Sequence, residues 1–562
     1  MPGDGDLALI RGIPLEEEPG QGAHTLPGFL REVCGRWPER EALVFHHGDG
    51  RVERWSYAGL WDRAMAVARA LVAAGVGRDS RVGVLMTNRL EWVSACFGAA
   101  LAGCTVTGLS TFSTAPELNV LLQKSAVSVL LFEGRVLAKD FAAMLRELEP
   151  GLGHAQPGWR SLRWPYLRHV VGVEADCGGG IESWDAFLAR GAGVPEAVVR
   201  ARGDSVRPSD PALLFFSSGS TGKPKGILNS HRGVCIQSWR VPRIYGVTDL
   251  PFRAWSANGL FWSGNWAFTL GGTLACGGCL VLQRTFDPAE AIRLFAAERV
   301  NFPYCWPHQW AQLEERPEWD GADLSSFHYF DTECFLHRPQ ATITTTFIDP
   351  RASYGSTETF TISTSFAVTE PEEKWRGNSG EALPGNTVRI VDPESGRTLK
   401  IGETGEIAVK GPTLMLGYIG VPNDEALDGE GFYRSGDGGH IDAEGRLFFA
   451  GRINDIIKTG GANVSPVEID WTLCSCPGVK VCKTTGVPHP TLGEMVVSLV
   501  VPEAGARVVE GEVIAWLKPK LASYKLPRRV LVIPEGELGL TDTAKIKPAE
   551  ARALAARLMA EA

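Results

Sequence analysis

No stretch of this chain approaches the roughly 18 consecutive apolar residues of a membrane-spanning helix. The opening Met1-Pro2-Gly3-Asp4-Gly5-Asp6 has neither the basic start nor the apolar segment of a secretory signal, which predicts a cytosolic protein. Positive charge is not in excess either. With 56 Lys and Arg against 65 Asp and Glu the net charge is −9, which argues against nucleic acid or an anionic membrane as a general partner. An anionic ligand must therefore be held by local charge. A disulfide framework is missing too, because twelve cysteines are scattered over 562 residues and Cys276-Gly277-Gly278-Cys279 is a CxxC with no second pair. Reduced structural thiols are expected. There is no internal repeat and no low-complexity tract.

What is present is the composition of an ordinary globular enzyme, 44% hydrophobic and 22% charged, in a chain too long for one core. Ser56 caps a segment whose apolar positions Leu60, Ala64, Val67, Ala68, Leu71 and Val72 follow helical spacing, and Gly75 ends it. Arg81 to Met86 reads as a buried strand, about Leu90 to Leu101 as a helix ending at Gly103, and Thr105-Val106-Thr107 as the next strand. This rhythm predicts α/β layers with a parallel sheet and helices on both faces. From Val388-Arg389-Ile390-Val391 onward short strands alternate with turns, as in a small β-barrel-like subdomain. The last part, with the Val496–Val501 run and helices near Val513–Leu517 and Pro548–Leu558, reads as a separate mobile α+β domain. The expected division is 1–452, with two layered α/β subdomains plus the barrel-like one, and 453–562.

Phe215-Phe216-Ser217-Ser218-Gly219-Ser220-Thr221-Gly222-Lys223-Pro224-Lys225-Gly226 carries the chemical signal. Glycines let the backbone turn its N–H groups inward, while hydroxyls and ammonium groups add donors and positive charge, so the segment suits a polyphosphate. It is not the P-loop of kinases and GTPases: Pro224 stands where that motif needs a magnesium-binding hydroxyl, and Ser217 where it needs its first glycine. The following Ile227-Leu228-Asn229-Ser230-His231 resembles a second strand, so the loop is expected to join two strands as a flap.

The segment resembles the phosphate loop of the adenylate-forming superfamily, in its acyl-CoA synthetase branch, and further motifs in the same order extend the resemblance over most of the chain. Tyr354-Gly355-Ser356-Thr357-Glu358 is similar to the family's aromatic-Gly-x-Thr-Glu segment. The resemblance implies that Tyr354 stacks on adenine beside Gly355, that Thr357 contacts the α-phosphate and that Glu358 holds Mg²⁺, a hard cation suited to an oxygen ligand. Tyr433-Arg434-Ser435-Gly436-Asp437 matches the next motif, whose aspartate, here Asp437, holds both ribose hydroxyls. Gly451-Arg452-Ile453-Asn454-Asp455 through Lys458-Thr459-Gly460-Gly461 resembles the hinge, with Arg452 touching ribose, Asn454 as pivot in place of the usual Asp or Lys, and Lys458, Gly460 and Gly461 facing coenzyme A. Thr541-Asp542-Thr543-Ala544-Lys545 resembles the closing motif with Ala544 replacing a glycine, and implies Lys545 as the catalytic cation. Gly405-Glu406-Ile407 through Gly417-Tyr418 matches a stretch read as mainly structural.

Two departures bear on substrate. Where amino-acid-activating relatives place an aspartate in the stretch matching Leu260–Trp266, this chain has Trp262, so an α-ammonium would lose its counter-charge. Asp331-Thr332-Glu333 stands where relatives usually show a glycine-rich segment. Trp262, Trp266, Asp331, Thr332 and Glu333 are therefore the pocket candidates. The dense aromatics Trp239, Trp255, Trp262, Trp266, Phe268, Tyr304 and Trp306 read either as core or as an apolar acyl slot, and His231 and His308 as structural. The implied reaction is ligation of an apolar aryl or alkyl carboxylic acid to coenzyme A, with ATP and Mg²⁺. A carrier-protein phosphopantetheine as acceptor and a non-catalytic nucleotide-binding protein are the alternatives. Oligomeric state is left open, a homodimer among the options.

Overall fold

The structure, a computed structural model, describes residues 6–154, 159–217, 224–248, 251–305, 307–327, 353–367, 369–455, 457–459, 462–490, 492–521, 525–534, 536–538 and 548–561. The helix expected after Ser56 runs from Tyr57 to Ala73; the Ser56 hydroxyl accepts the Gly59 N–H at 3.1 Å, and Gly75, at φ +75°, closes the far end. It packs its Leu60, Ala64, Val67 and Leu71 face on the Leu90–Leu101 helix, which is buried at every position except Glu91. The two approach closely because residue 98 is glycine: a Cβ there would lie 2.6 Å from that of Val67.

These helices cover an eight-stranded sheet. Its order is Ile181–Ser183, His169–Val173, Val129–Glu133, Arg81–Leu85, Thr105–Gly108, Pro211–Ser217, Lys225–Ser230 and Gly417–Tyr418. The first six strands are parallel and the last two antiparallel. Val129–Glu133 is buried at every position, the signature of a strand covered on both faces. A second sheet sets Phe302–Tyr304, Arg253–Ser256, Cys279–Leu282 and Glu41–His46 in parallel, edged by Val52–Ser56. A single core cluster runs from the large sheet through both helices to the second sheet.

The barrel-like subdomain is a five-stranded antiparallel sheet, open rather than closed, ordered Leu9–Arg11, Thr387–Val391, Gly405–Lys410, Tyr433–Ile441 and Leu447–Arg452. Its small core includes Ile390, Ile407, Val409 and Tyr354. The C-terminal part is α+β. Ala462–Val464, Ile457–Thr459, Gly493–Pro502 and Val479–His489 form its sheet, with Arg529–Val532 parallel to Gly493–Pro502, and the helices Pro466–Cys474, Glu510–Leu517 and Pro548–Glu561 pack on it. Among the described residues no strand pairing joins this sheet to the others. The Ser465 hydroxyl, which caps the first of these helices, also donates to Ala450 O across the junction. Among the described residues, no helix is long and apolar enough to cross a membrane, and eleven cysteines are free thiols.

Candidate active site

The two strands flanking the phosphate loop are neighbours in the large sheet and pair antiparallel, Phe215 opposite Ile227 and Ser217 opposite Lys225, as in a hairpin. Ser218, Gly219, Ser220, Thr221, Gly222 and Lys223 lie outside the described residues. Lys225, at the base of the hairpin, holds its ammonium 5.2 Å from the ring centre of Tyr418. Tyr418 belongs to the edge strand paired with this hairpin, directly opposite Ile227.

The Tyr354–Glu358 segment crosses its own continuation. Tyr354 N–H donates to Thr364 O at 3.1 Å and Ser363 N–H returns to Tyr354 O at 2.7 Å. At Gly355 a Cβ would lie 1.9 Å from Thr361 O, so only glycine fits this crossing. Thr357–Thr359 then forms one 3₁₀ turn, followed by two residues with left-handed backbone, Phe360 at φ +47° and Thr361 at φ +84°. A β-branched threonine there is strained. The surroundings hold it: the buried Gln237 amide, on the His231–Ile244 helix, donates to Phe360 O at 2.9 Å and Ile362 O at 2.6 Å.

This strained turn aims three side chains. The Ser263 hydroxyl donates to Thr357 Oγ1 at 3.2 Å. The Tyr418 phenol donates to Glu358 Oε1 at 2.8 Å, and Glu358 O accepts the Met415 N–H at 2.7 Å. The Tyr354 phenol, buried with its ring near Phe449, donates to Asp437 Oδ2 at 2.9 Å. Asp437 lies directly opposite Arg452 on neighbouring strands, and Arg452 Nε meets Asp437 Oδ1 at 3.0 Å while another guanidinium nitrogen donates to Ser435 O at 2.8 Å. Burial holds the Asp437 carboxyl above its ordinary value, and the Arg452 charge opposes that rise. Burial first, and then the Asp437 charge, push the Tyr354 phenol well above the usual tyrosine value.

Thr357, Glu358, Tyr354, Asp437, Arg452 and Lys225, drawn from distant parts of the sequence, are thus linked through a few side-chain contacts. Lys458 is not part of that set: it is exposed on the Ile457–Thr459 strand, where its backbone N–H donates to Glu494 at 2.8 Å. Asn454 sits in a 3₁₀ turn, Ile453–Asp455, between the open sheet and the C-terminal one. Next to it a cavity of about 170 Å³ is lined by Arg452, Asp455, Lys483, Pro548, Ala549 and Arg552, among others. Asp331, Thr332, Glu333, Gly460, Gly461 and Lys545 lie outside the described residues.

The two tryptophan candidates part company. Trp262 is 39% exposed beside Phe261, which in turn meets the exposed Phe112 edge-on. Trp266 is fully enclosed between Phe97 and Phe360, and Trp239, Trp255 and Phe268 are buried as well. Their density comes from core packing around the π-helical turn Trp266–Gly271. His231 is structural: buried, it accepts the Leu26 N–H at 3.1 Å, and burial drives its pKa down to about 4.

Sequence reasoning missed Tyr418, Tyr433, Ser263 and Gln237 as parts of this arrangement. The Tyr418 and Tyr433 oxygens lie 3.3 Å apart. Both fall within motifs already singled out, so position in those motifs was the available signal.

Two family models match the chain, AMP-binding enzyme over residues 30–419 and AMP-binding enzyme C-terminal domain over residues 468–545. Indoleacetate–CoA ligase of Aromatoleum aromaticum is 31% identical over 545 residues, covering 95% of this chain and 98% of that protein. Feruloyl-CoA synthase of an Amycolatopsis species is 30% identical over 507 residues, covering 88% and 94%. Among solved structures, anthranilate CoA ligase AuaEII in complex with anthranoyl-AMP superposes with a TM-score of 0.73 at 23% identity, covering 98% of this chain and 100% of that one, a likeness of fold.

Proposed function

This chain belongs to the AMP-binding enzymes, and from that premise we propose that it is an ATP-dependent, AMP-forming carboxylate–CoA ligase for aryl or other apolar acids. The acid carboxylate attacks the α-phosphorus of ATP and releases pyrophosphate; the thiol of coenzyme A then attacks the acyl carbon of the acyl-adenylate and releases AMP. The observation that carries the reading is the contact between the flap base and the Glu358 carboxylate through Tyr418, beside the buried Asp437 carboxylate and its ion pair with the exposed Arg452. A phosphate-binding hairpin, an acidic metal ligand and a ribose-binding carboxylate are what adenylation requires side by side.

In this reading Asp437 accepts the ribose hydroxyls, Arg452 steadies its charge, and the 217–225 flap holds the triphosphate through Ser217, Ser218, Thr221, Lys223 and Lys225. Thr357 donates to the α-phosphate. Glu358 would hold magnesium: Oε1 is taken by Tyr418, and Oε2 has no hydrogen-bond partner among the described residues, which leaves a hard oxygen for the ion. When bound, the ion neutralises charge that builds on the phosphates. Trp262 and Phe112 give the acid an aromatic lip, in keeping with relatives named for indoleacetate and ferulate.

We assign the division at 452/453 and the pivot at Asn454 to a rotation that removes Lys545 after adenylation and brings Lys458, Gly460 and Gly461 to coenzyme A. Supporting this, Pro548 and Ala549, shortly after Lys545 in sequence, line the same cavity as Arg452. Lys545→Ala is expected to slow adenylation by ~10²- to 10³-fold, the range for losing one transition-state donor, and to spare thioester formation from supplied acyl-adenylate. Equal loss in both half-reactions removes Lys545 from this role. The function itself is tested by assaying a panel of aryl and alkyl acids for pyrophosphate release and then for AMP release with coenzyme A. Turnover confined to aryl or apolar acids is expected, and no acid-dependent pyrophosphate release across the panel would overturn the proposal.

A further inference from the structure

We propose that Tyr418 is a positioning residue that couples the base of the phosphate flap to the metal-binding carboxylate. The proposal rests on the reading of Glu358 as a magnesium ligand. Tyr418 is placed by the glycine before it. Gly417 sits at φ +143°, and a Cβ there would come within 2.2 Å of Asn423 Oδ1, whose side-chain amide donates to Leu416 O at 3.1 Å. Backbone pairing opposite Ile227 then fixes Tyr418 to the return strand of the flap.

From that position one side chain does two things. Its ring face lies 5.2 Å from the Lys225 ammonium, a cation–π contact with the last basic residue of the flap. Its phenol reaches Glu358 Oε1 at 2.8 Å. A phenol has one proton, and the shorter contact to a charged acceptor takes it; Tyr433, 3.3 Å behind, supplies the proton between the two phenols. The result is a directed chain, Tyr433 to Tyr418 to Glu358, that commits one carboxylate oxygen and leaves the other without a hydrogen-bond partner among the described residues. A glutamate has three side-chain torsions to fix, and the phenol removes that freedom before any ion arrives. The position of the flap base and the orientation of the carboxylate thereby share one residue.

Tyr418→Phe keeps the ring face toward Lys225 and deletes only the O–H. Magnesium is titrated calorimetrically against the full-length protein at fixed ATP, with ATP binding in EDTA and the melting temperature measured alongside. The half-saturating magnesium concentration is expected to rise ~10-fold or more, within the ~10- to 100-fold usual for losing a partner of a metal ligand. ATP binding in EDTA and the melting temperature stay near the parent values. Tyr433→Phe, which leaves Tyr418 in place, shifts the magnesium demand in the same direction and serves if Tyr418→Phe folds poorly. Glu358→Gln separates the two layers. If it raises the magnesium demand while neither tyrosine variant does, the coupling role of Tyr418 is overturned and the metal reading stands; if Glu358→Gln leaves the demand unchanged, both fall.

Discussion

Replacing Asp437 by asparagine is the sharpest single perturbation of the nucleotide site. The side chain is 8% exposed, so its carboxylate is largely desolvated and its remaining lone pairs are strong acceptors for the ribose hydroxyls. Hydrogen bonds to a charged group contribute ~1.5–3 kcal/mol, which converts to a rise of ~10- to 150-fold in the KM for ATP. Asparagine conserves shape and keeps an oxygen for the Tyr354 phenol, now 2.9 Å away. Arg452 loses its ion partner, but that guanidinium is 60% exposed, where such pairs matter little. The fold is therefore expected to survive with a nearly unchanged Tm. The pH profile adds a second readout. Burial raises the Asp437 pKa above the ordinary 3.8, with Arg452 opposing, and the ionised form is the one that accepts the ribose. ATP affinity thus falls as pH drops through that raised value and is restored above it; the variant lacks this limb. Titrating ATP calorimetrically and in pyrophosphate exchange from pH 4.5 to 8 checks both. Unchanged ATP affinity in a folded Asp437→Asn protein would refute the ribose assignment.

Three further perturbations follow from the same geometry. Gly355→Ala drives a Cβ into Thr361 O, backbone against backbone, and is expected to cost ~1–3 kcal/mol or more in chemical denaturation and to displace Thr357 and Glu358; parental stability together with parental ATP binding would show the turn has room. Lys483→Met leaves the fully buried Asp470 carboxylate without the ammonium 3.0 Å away, and uncompensated buried charges cost ~3–5 kcal/mol, read as early melting of the C-terminal part. His231, held neutral by burial with a pKa of about 4, destabilises the fold as pH falls from about 6.5 to 4, because the unfolded chain takes the proton first; the gap is worth about 3 kcal/mol by pH 4. His231→Asn, whose Oδ1 can accept the Leu26 N–H, should lose less stability than the parent between pH 7 and 4.5, and an equal loss contradicts the assignment.

Local signals were legible in the sequence because they act over a few residues. The Ser56 cap, the Gly75 stop and the apolar spacing between them define the Tyr57–Ala73 helix, and the strand texture around the Gly/Ser/Thr loop gives its hairpin. What escaped depends on contacts far apart in the chain. Nothing within Leu9–Arg11 says that it pairs with Thr387–Val391 and leaves the antiparallel sheet open. The aromatic run looked like one feature, but burial divides it: Trp266 faces core residues Phe97 and Phe360, while Trp262, four residues earlier, stays exposed. Helical spacing could not separate them because Trp262 stands at the extended N-cap position, outside the helix that begins at Ser263 and carries Trp266. Tyr418 was hidden for a different reason. Gly417-Tyr418 closes a stretch that reads as mainly structural, and the meeting of Tyr418 with Glu358 needs the edge strand, the flap base and the 3₁₀ turn all in place.

The central claim, that this chain activates a carboxylate by joining it to AMP, is tested most directly by following oxygen. An aryl acid labelled with oxygen-18 in its carboxyl group is turned over with ATP and coenzyme A, and the nucleotide product is weighed by mass spectrometry. The account predicts AMP carrying one labelled oxygen, because the carboxylate oxygen that attacks the α-phosphorus leaves with it when the thiol takes the acyl group. Unlabelled AMP beside acyl-CoA, or ADP with the label in inorganic phosphate, would contradict it.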